Sequence, residues 1–229
     1  MIVSYRHEFV FIKPHKVAGS SVERALSTVC GPHDVITGGR SSTFPGVKGP
    51  QNHRRPLRTL TPRQGAKAIL RRRWPTIPYH ASVAEVRRLI PAHRWQEFFT
   101  FAIERNPWDK AVSRYYWDSS LQDPDAARAR SFSEYLRICP EWKLSNWKIY
   151  TLDGEIAVDR VLRYERLADE FADLWRERIG GAPPQMPREK TGSRPETTRS
   201  WRALYNSDDA ERVATVCKNE IEAFGYTFE

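Results

Sequence analysis

Two short apolar stretches that each run into a helical pattern constrain the fold of this chain more than any other feature. Residues 8–13 (EFVFIK) have the length and apolar content of a buried strand, and residues 98–105 (FFTFAIER) form the strongest strand candidate in the chain. A helical pattern begins within a few residues of each. Strands that alternate with helices favour a parallel sheet with helices on both faces. The sequence therefore predicts an α/β fold with a central, mainly parallel sheet.

The loop after the first strand has the composition of an anion-binding loop. Residues 14–18 are followed by Gly19, Ser20 and Ser21, where the helical pattern begins. A glycine lets the backbone come close to an anion, and a helix start presents N–H groups and the positive end of its dipole. Lys16 precedes the glycine, whereas the Walker loop, G-x-x-x-x-G-K-[ST], has its lysine after the glycine. The pattern indicates a phosphate loop of another kind, although a plain strand–helix turn with a solvated lysine also fits.

A second candidate site follows the second strand. Asn106 is placed to cap the next helix, Pro107 occupies its first position and Asp109 its first turn. Arg105 ends the strand, and Ser113 lies eight residues further on the side of the helix that faces back toward it. An arginine fork beside a hydroxyl is a suitable receptor for a terminal phosphate monoester. A capped helix with a surface arginine is the alternative.

A long basic segment lacks acidic residues. No Asp or Glu occurs between Asp34 and Glu85, and the same segment holds ten Lys and Arg residues: Arg40, Lys48, Arg54, Arg55, Arg58, Arg63, Lys67, Arg71, Arg72 and Arg73. The whole chain has 37 Lys/Arg against 28 Asp/Glu, so the net charge of +9 arises from this segment. Its field attracts anions such as nucleic acid, a sulfated or carboxylated glycan, or a nucleotide, and a solubilising basic loop fits as well.

Turn residues and caps predict the other elements. Residues 35–65 are rich in Gly, Pro, Ser and Arg without periodicity, which predicts an irregular, substrate-facing excursion over about 35–75. Capping boxes predict helices after Ser82 and Ser131. Asp153-Gly154 predicts a turn. Further predictions are helices at 62–73, 141–151, 167–179 and 208–222, a strand at 156–165 and an irregular segment at 118–130.

Length and cysteine usage bound the class of protein. A chain of 229 residues is expected to form one domain, 1–229. Cys30, Cys139 and Cys217 are far apart and show no C-x-x-C or Cys/His spacing, so neither a disulfide framework nor a zinc site is expected. A signal-peptide layout and a run of 18 apolar residues are both missing. The expectation is a cytoplasmic protein in a reducing compartment.

The two candidate loops together resemble a known family. HKVAGSS and RNPWDKAVSRYY resemble the cofactor loops of sulfotransferases that use 3′-phosphoadenosine 5′-phosphosulfate (PAPS), in particular the carbohydrate and heparan 2-O types and their bacterial relatives. That family commonly reads P-K-T-[AG]-G-T-S and R-[NDH]-P-[WF]-[DE]-[RK]-x-[VY]-S. His15, Val17 and Ser20 depart from the first motif. RYERLADEF and the C-terminal stretch that ends in FGYTFE are similar to further family segments.

The resemblance implies a three-layer, P-loop-type fold and a PAPS-dependent sulfotransferase that releases 3′,5′-adenosine bisphosphate and requires no metal. It implies a 5′-phosphosulfate site at Lys16, Ala18, Gly19, Ser20 and Ser21, with Lys16 also catalytic. It implies a 3′-phosphate site at Arg105 and Ser113. In the segment PREKTGSRPE, Lys190 and Arg194 are candidates to close over the cofactor or acceptor, with a solvated loop as the alternative.

Transfer to a hydroxyl calls for a general base, and His80 is the candidate. Relatives of the 2-O type carry a catalytic histidine in a similar place, upstream of the arginine loop, and the nearby helix start would keep the His80 ring neutral. His15, His53 and His93 are alternatives, as is a structural role for His80. Glu165 is interpreted as structural. Trp108 and Trp147 are candidates to stack on an adenine or a sugar.

Two other classes of function stay open at this point. An ATP-dependent P-loop kinase would need a G-K-[ST] sequence, which is missing. A nucleic-acid or polyanion binder acting through residues 35–84 would favour aromatic side chains interleaved with the arginines as a stacking platform, an arrangement that this segment does not show, and no known binding motif appears. The expected acceptor is a hydroxyl, less favourably an amine, on a carbohydrate or small metabolite. The basic segment suggests an anionic glycan or an acidic metabolite as the partner.

Overall fold

The computed structural model describes residues 1–38, 46–186 and 200–228. Within these ranges the strands are β1 (Ile2–Ser4), β2 (Phe9–Phe11), β3 (Val35–Ile36), β4 (Phe99–Glu104), β5 (Thr151–Leu152), β6 (Glu155–Ile156) and β7 (Arg160–Arg163). Five of them form a sheet in the order β3-β1-β2-β4-β7, and β5 and β6 form a separate hairpin. β2, β4 and β7 run parallel, whereas β1 is antiparallel to both β2 and β3. The sheet is thus mixed, with a parallel half.

The helices within the described ranges are α1 (Gly19–Val29), α2 (Pro62–Leu70), α3 (Val83–Leu89), α4 (Ala92–Glu97), α5 (Pro107–Ser120), α6 (Pro124–Arg128), α7 (Phe132–Ile138), α8 (Glu141–Leu144), α9 (Trp147–Tyr150), α10 (Leu167–Arg178), α11 (Ser207–Val216) and α12 (Lys218–Phe224). Short 3₁₀ turns occur at Leu57–Thr59, Tyr164–Arg166 and Trp201–Leu204. None of these helices is long and apolar enough to cross a membrane.

The alternation of side chains along β2 explains why helices cover both faces of the sheet. Phe9 and Phe11 point to one face and join a cluster that includes residues of α1 and α10. Val10 and Ile12 point to the other face and join a cluster that includes residues of α3 and α9. A strand that is apolar on both faces is characteristic of a covered parallel sheet. The prediction of an α/β fold with a central sheet between helices is confirmed, but the sheet is mixed, with two parallel and two antiparallel strand pairings.

A third cluster of buried side chains holds the helix that follows β4. Trp108 of α5 packs with Tyr135 of α7, Leu144 of α8 and Val213 of α11. This helical layer lies beside the sheet and fixes the orientation of α5 relative to the end of β4. The second candidate loop is therefore anchored in a core of its own.

Several strand predictions need correction. β1 was not predicted, because its three residues pair on both sides with partners that are recognisable only in three dimensions. The stretch 156–165 is not one strand: β6 ends at Ile156, and β7 begins only at Arg160. Between them the N–H of Ala157 bonds the carbonyl of Tyr150, and the N–H of Asp159 bonds the carbonyl of Thr100. The predicted turn at Asp153-Gly154 closes the β5–β6 hairpin.

Two predicted helices are each broken in two. The helix predicted at 141–151 ends at Leu144 and restarts at Trp147, because the N–H of Asn146 and the hydroxyl of Ser145 bond to the Glu220 carboxylate instead of continuing the helix. The helix predicted at 208–222 is interrupted at Cys217. The irregular segment predicted at 118–130 contains the end of α5 and a short α6, which Asp123 caps.

The basic excursion is tied back to the rest of the fold at several points. Gln51 pairs with Ile36 of β3, and Arg54 pairs with Thr76. The predicted helix begins after a Thr61 capping box and ends at Leu70, three residues before the predicted end. The rest of the excursion up to Thr61 is largely irregular where described, as predicted. The described residues do not include 39–45 or 187–199. The predictions for Arg40, Lys190 and Arg194 therefore lie outside the described residues.

Candidate functional site

The carboxyl ends of β2, β4 and β7 meet at one edge of the sheet, and both candidate loops lie there. The loop after β2 contains Lys16, the residue after β4 is Arg105, and the residue after β7 is Tyr164. Ligands of open α/β sheets bind at this edge, where helices also begin. The topology therefore brings together two loops that are about ninety residues apart in the sequence.

The first loop turns sharply into α1. Lys16 and Ala18 both adopt φ values of +59°, a left-handed conformation that costs a non-glycine residue roughly 1–2 kcal/mol. No side chain caps α1, whose first turn begins at Gly19 and Ser20. The first N–H groups of a helix have no intrahelical acceptor. Backbone strain beside an uncapped helix start is the arrangement expected of a loop shaped to receive an anion.

Gly19 is required by packing, a reason that the sequence did not reveal. A Cβ atom at this position would lie 2.8 Å from Cγ of Lys13. Lys13 is itself buried, and its ammonium pairs with Oε2 of Glu23 at 2.5 Å. Lys13 therefore passes beneath the loop to reach α1 and leaves no room for a side chain at position 19. Ser21, the second predicted hydroxyl, is buried and Ser20 is half-buried.

Arg105 connects the two loops. Its Nη1 donates a hydrogen bond to the backbone oxygen of Lys16 at 3.2 Å. Its Nε and Nη2 both donate to Oδ2 of Asp109, at 2.9 and 2.6 Å, and its guanidinium lies 4.0 Å above the ring of Tyr164. The sequence predicted an arginine fork aimed at a phosphate, but it did not reveal that Asp109 already orients this fork.

One face of α5 continues the site. Asp109, Ser113 and Trp117 follow one another at spacings of four residues, so their side chains lie along one stripe of the helix. The ammonium of Lys16 lies 4.5 Å from the centre of the Trp117 ring. Ser113 is half-buried. The structure thus brings Lys16, Arg105 and Ser113 to the same stripe of α5 and adds Trp117, which the sequence reasoning missed.

His80 lies beside the first loop. Its Nδ1 is 2.8 Å from the backbone oxygen of Lys13. A carbonyl oxygen only accepts hydrogen bonds, so Nδ1 carries the proton, and in the neutral ring the lone pair is on Nε2. The ring centres of His80 and His15 are 3.8 Å apart. His80 is therefore held against the candidate phosphate loop by its Nδ1–H bond.

His15, the extra residue of the first loop, is held on its backbone by Asn146. The N–H of His15 donates to Oδ1 of Asn146, and Nδ2 of Asn146 donates to the carbonyl of His15, both at 3.0 Å. Burial, and then the nearby charges of His80, Arg114 and Lys110, lower the pKa of His15 to about 3. His15 is therefore a neutral spacer between His80 and the anchored turn at Asn146.

A buried ionic network supports the turn between β4 and α5. Glu104 accepts hydrogen bonds from Nζ of Lys110 at 2.8 Å, from the hydroxyl of Tyr150 at 2.9 Å and from the N–H of Arg105 at 2.8 Å. Burial raises the pKa of Glu104, and Lys110 opposes that shift. Burial lowers the pKa of Lys110, but Glu104 and Glu220 raise it by more. The network fixes the strand end from which Arg105 projects.

The other sequence candidates lie elsewhere or serve the framework. His93 is on α4, which precedes β4 and so lies at the opposite end of that strand from Arg105. The backbone oxygen of His53 bonds the N–H of Ile77. Glu165 accepts from the N–H of Asn106 at 2.7 Å and, more weakly, from the hydroxyl of Tyr226, as a structural carboxylate would.

The two tryptophans that are candidates to stack on a ligand both pack against the core, Trp108 fully buried and Trp147 half-buried. Trp108 is buried, and its Nε1 donates to the backbone oxygen of Ala210. Trp147 packs edge-on against Tyr150. One exposed aromatic ring near the loop is Trp142, which is 60 % exposed and lies 6.2 Å from the His15 ring. Its surroundings, set by the break between α8 and α9, could not be inferred from the sequence.

A basic pocket lies in the excursion that leads to His80. Its volume is about 450 Å³, a size that suits a small organic ligand. The residues that line it are Arg55, Gln64, Lys67, Ala68, Arg71, Arg73, Trp74, Pro75 and Thr76. Thr76 is four residues from His80, so their Cα atoms are at most about 14 Å apart.

Comparisons of the chain with protein-family models, with curated proteins and with solved structures found no match.

Proposed function

We propose that this protein is a sulfotransferase that transfers the sulfuryl group of PAPS to an acceptor hydroxyl. The observation that carries the proposal is the hydrogen bond from Arg105 to the backbone oxygen of Lys16. It joins the two loops whose motifs resemble the cofactor loops of that family into one continuous surface. Lys16, the start of α1 and the Ser113 stripe of α5 all border this surface.

The residues at this surface fit a donor with two separated anionic groups. The uncapped start of α1, with Gly19, Ser20 and Ser21, would hold the 5′-phosphosulfate, and Lys16 would balance its charge. Arg105 and Ser113 would hold the 3′-phosphate. PAPS supplies an activated sulfuryl group when bound. Before the donor binds, Asp109 already orients the guanidinium of Arg105. Binding would therefore cost little additional side-chain entropy at this residue.

His80 is the proposed general base. Its Nδ1–H donates to the carbonyl of Lys13, so Nε2 carries the lone pair of the neutral ring and is the atom that would take the proton of the acceptor hydroxyl. His15, whose pKa is lowered to about 3, stays neutral beside it and adds no positive charge that would oppose proton transfer. The acceptor would carry an acidic group in the basic pocket, which favours an anionic glycan unit or an acidic metabolite over a neutral alcohol.

Thermal shift measurements with three ligands test the donor. We expect 3′,5′-adenosine bisphosphate to raise the melting temperature, by an amount that grows with ligand concentration. ATP with magnesium and a short oligonucleotide should raise it much less. Stabilisation by ATP with magnesium alone would indicate a kinase, and stabilisation by the oligonucleotide alone a nucleic-acid binder; either result would refute the proposal.

Turnover of the His80→Ala variant tests the base. Loss of a general base typically lowers the rate roughly 10²–10⁴-fold. We expect that loss in sulfate transfer from labelled PAPS to a panel of acidic glycans and hydroxylated metabolites, with bisphosphate binding unchanged. His93→Ala is the matched control, because this histidine lies on α4, away from the carboxyl edge. Near-normal activity of His80→Ala would show that the base is another group.

A further inference from the structure

The apolar side chains that are most exposed in the described part of the chain all lie in the acid-free segment. Leu70 is 85 % exposed, Ile69 75 % and Leu57 69 %, ahead of every other large apolar residue described. Large aliphatic side chains that lie together on a surface commonly mark an interaction site. None of these three residues lines the proposed donor site or the basic pocket.

Helix α2 separates two chemically different faces. Gln64, Lys67, Ala68 and Arg71 face the basic pocket at spacings of three and four residues. The opposite face carries Pro62, Ala66, Ile69 and Leu70, again with helical spacing, and all four are exposed. The apolar stripe of this amphipathic helix thus points to solvent, where a core-packing helix would have turned it inward.

The borders of this stripe are strongly basic. Arg63 lies on α2 beside the stripe, and Arg72 lies two residues after Leu70, whereas Arg71 and Arg73 line the pocket. The nearest acidic residues in the sequence are Asp34 and Glu85. A short helix with an exposed apolar face, a basic border and no acidic residue is the pattern of a segment that lies in the interface of an anionic membrane.

We propose that α2 and the adjoining 3₁₀ turn dock this protein onto an anionic phospholipid surface. Leu57, Ile69 and Leu70 enter the boundary between headgroups and acyl chains, and Arg63 and Arg72 contact lipid phosphates. Charge disfavours a second copy of the chain as the partner, because two equally basic faces repel. Aliphatic side chains also give nucleic acid no stacking surface. The basic pocket remains on the inner side of α2, available to the proposed acceptor.

Vesicle flotation with the full chain tests the proposal. We expect binding to phosphatidylcholine vesicles that contain roughly one third phosphatidylserine to exceed binding to pure phosphatidylcholine at least tenfold, and to weaken in high salt. The double variant Ile69→Ser/Leu70→Ser should lose at least about tenfold of that binding. Arg63→Ala/Arg72→Ala should weaken it and reduce its salt dependence.

A matched control and two further readouts make the test decisive. Leu121→Ser/Ile156→Ser removes two exposed apolar residues elsewhere and should bind vesicles like the wild type. The proposal is overturned if the wild type ignores phosphatidylserine or if Ile69→Ser/Leu70→Ser binds as well as the wild type. It is also overturned if analytical ultracentrifugation shows a dimer that this variant abolishes. If an oligonucleotide bound the wild type and the Ile69→Ser/Leu70→Ser variant with equal affinity, and neither protein bound vesicles, the proposal would also be overturned. The basic surface would then be assigned to nucleic-acid binding.

Discussion

At the scale of single residues, the first loop depends on packing as much as on charge. A Cβ atom at position 19 would lie only 2.8 Å from Cγ of Lys13, and the buried ion pair with Glu23 holds Lys13 in place. Gly19→Ala should therefore destabilise the protein by about 1–3 kcal/mol, the usual cost of overpacking, and should weaken bisphosphate binding. Urea unfolding measures the first effect and calorimetric titration the second.

Gly65→Ala is the matched control for Gly19→Ala. Gly65 lies in α2, and a Cβ there would meet no atom within 4 Å. Since alanine favours helix over glycine, this change should stabilise the protein by up to about 1 kcal/mol. If the two substitutions had the same effect, the close contact between Lys13 and Gly19 would not be the cause.

His15 gives a prediction about pH. Its pKa in the folded protein is lowered from 6.5 to about 3, chiefly by burial, so the unfolded chain binds a proton at pH values where the folded protein does not. The contribution of His15 to stability is therefore full above about pH 6.5 and is lost as the pH falls toward 3. The free energy of unfolding of the wild type should therefore fall more steeply than that of His15→Gln as the pH is lowered from about 6.5 toward 3. Parallel pH profiles of the two proteins, measured by urea unfolding, would contradict this account.

At the scale of elements, the end of β4 and the start of α5 form one buried unit. Lys110 lies 2.8 Å from Oε1 of Glu104 and 3.7 Å from Oε1 of Glu220, and all three are buried. Lys110→Met leaves two buried carboxylates without their cation, which should cost about 3–5 kcal/mol. Urea unfolding checks the value. Lys218→Met is the control, because Lys218 is 71 % exposed beside Glu222 and its loss should change little.

The double variant Glu104→Gln/Lys110→Met keeps the prediction testable if Lys110→Met does not fold. The double variant leaves one buried carboxylate, Glu220, without its cation, whereas Lys110→Met leaves two, so the double variant should be more stable than Lys110→Met. If both proteins were equally unstable, the volume of the Lys110 side chain would matter more than its charge.

Local signals in the sequence were sufficient for elements whose limits are set locally. The caps at Ser82, Asn106 and Ser131 start helices as predicted, because a cap bonds to its own first turn. The break at Asn146 was not predictable, since the group that causes it is Glu220, more than seventy residues away. Nothing in the sequence around β1 distinguishes three residues as a strand until both of its neighbours are in place.

The residues of the candidate site also fall into those that local sequence signals indicated and those that they did not. Lys16, Arg105, Ser113 and His80 were predictable, because short motifs or a resemblance contain them. Asn146, which holds the His15 backbone, was not, because its role depends on contacts between distant segments. Polar residues that support a site from a distance follow no local spacing, so a single sequence contains no signal for them.

At the scale of the whole molecule, the sheet edge and the basic segment are two regions with different chemistry. The three parallel strands bring the candidate donor loops to one edge, whereas the acid-free segment from β3 to His80 carries the excess positive charge. The inner side of α2 faces the pocket, and its outer side faces solvent. Under the proposed function, the donor binds at the sheet edge while the segment next to His80 meets the acceptor or a charged surface.

The joint between the two loops gives the last prediction. Arg105 bonds Asp109 through Nε and Nη2, bonds the Lys16 carbonyl through Nη1 and covers the ring of Tyr164, so it connects three strand ends at once. Lysine keeps the charge but has a single nitrogen, which cannot reproduce these contacts. Arg105→Lys should weaken 3′,5′-adenosine bisphosphate binding at least about tenfold in calorimetric titration, because two to three charge-assisted bonds are lost. Arg166→Lys, at a side chain 70 % exposed, is the control and should bind normally. Unchanged affinity of Arg105→Lys would mean that positive charge alone holds the ligand and that the connection between the loops is not needed for binding.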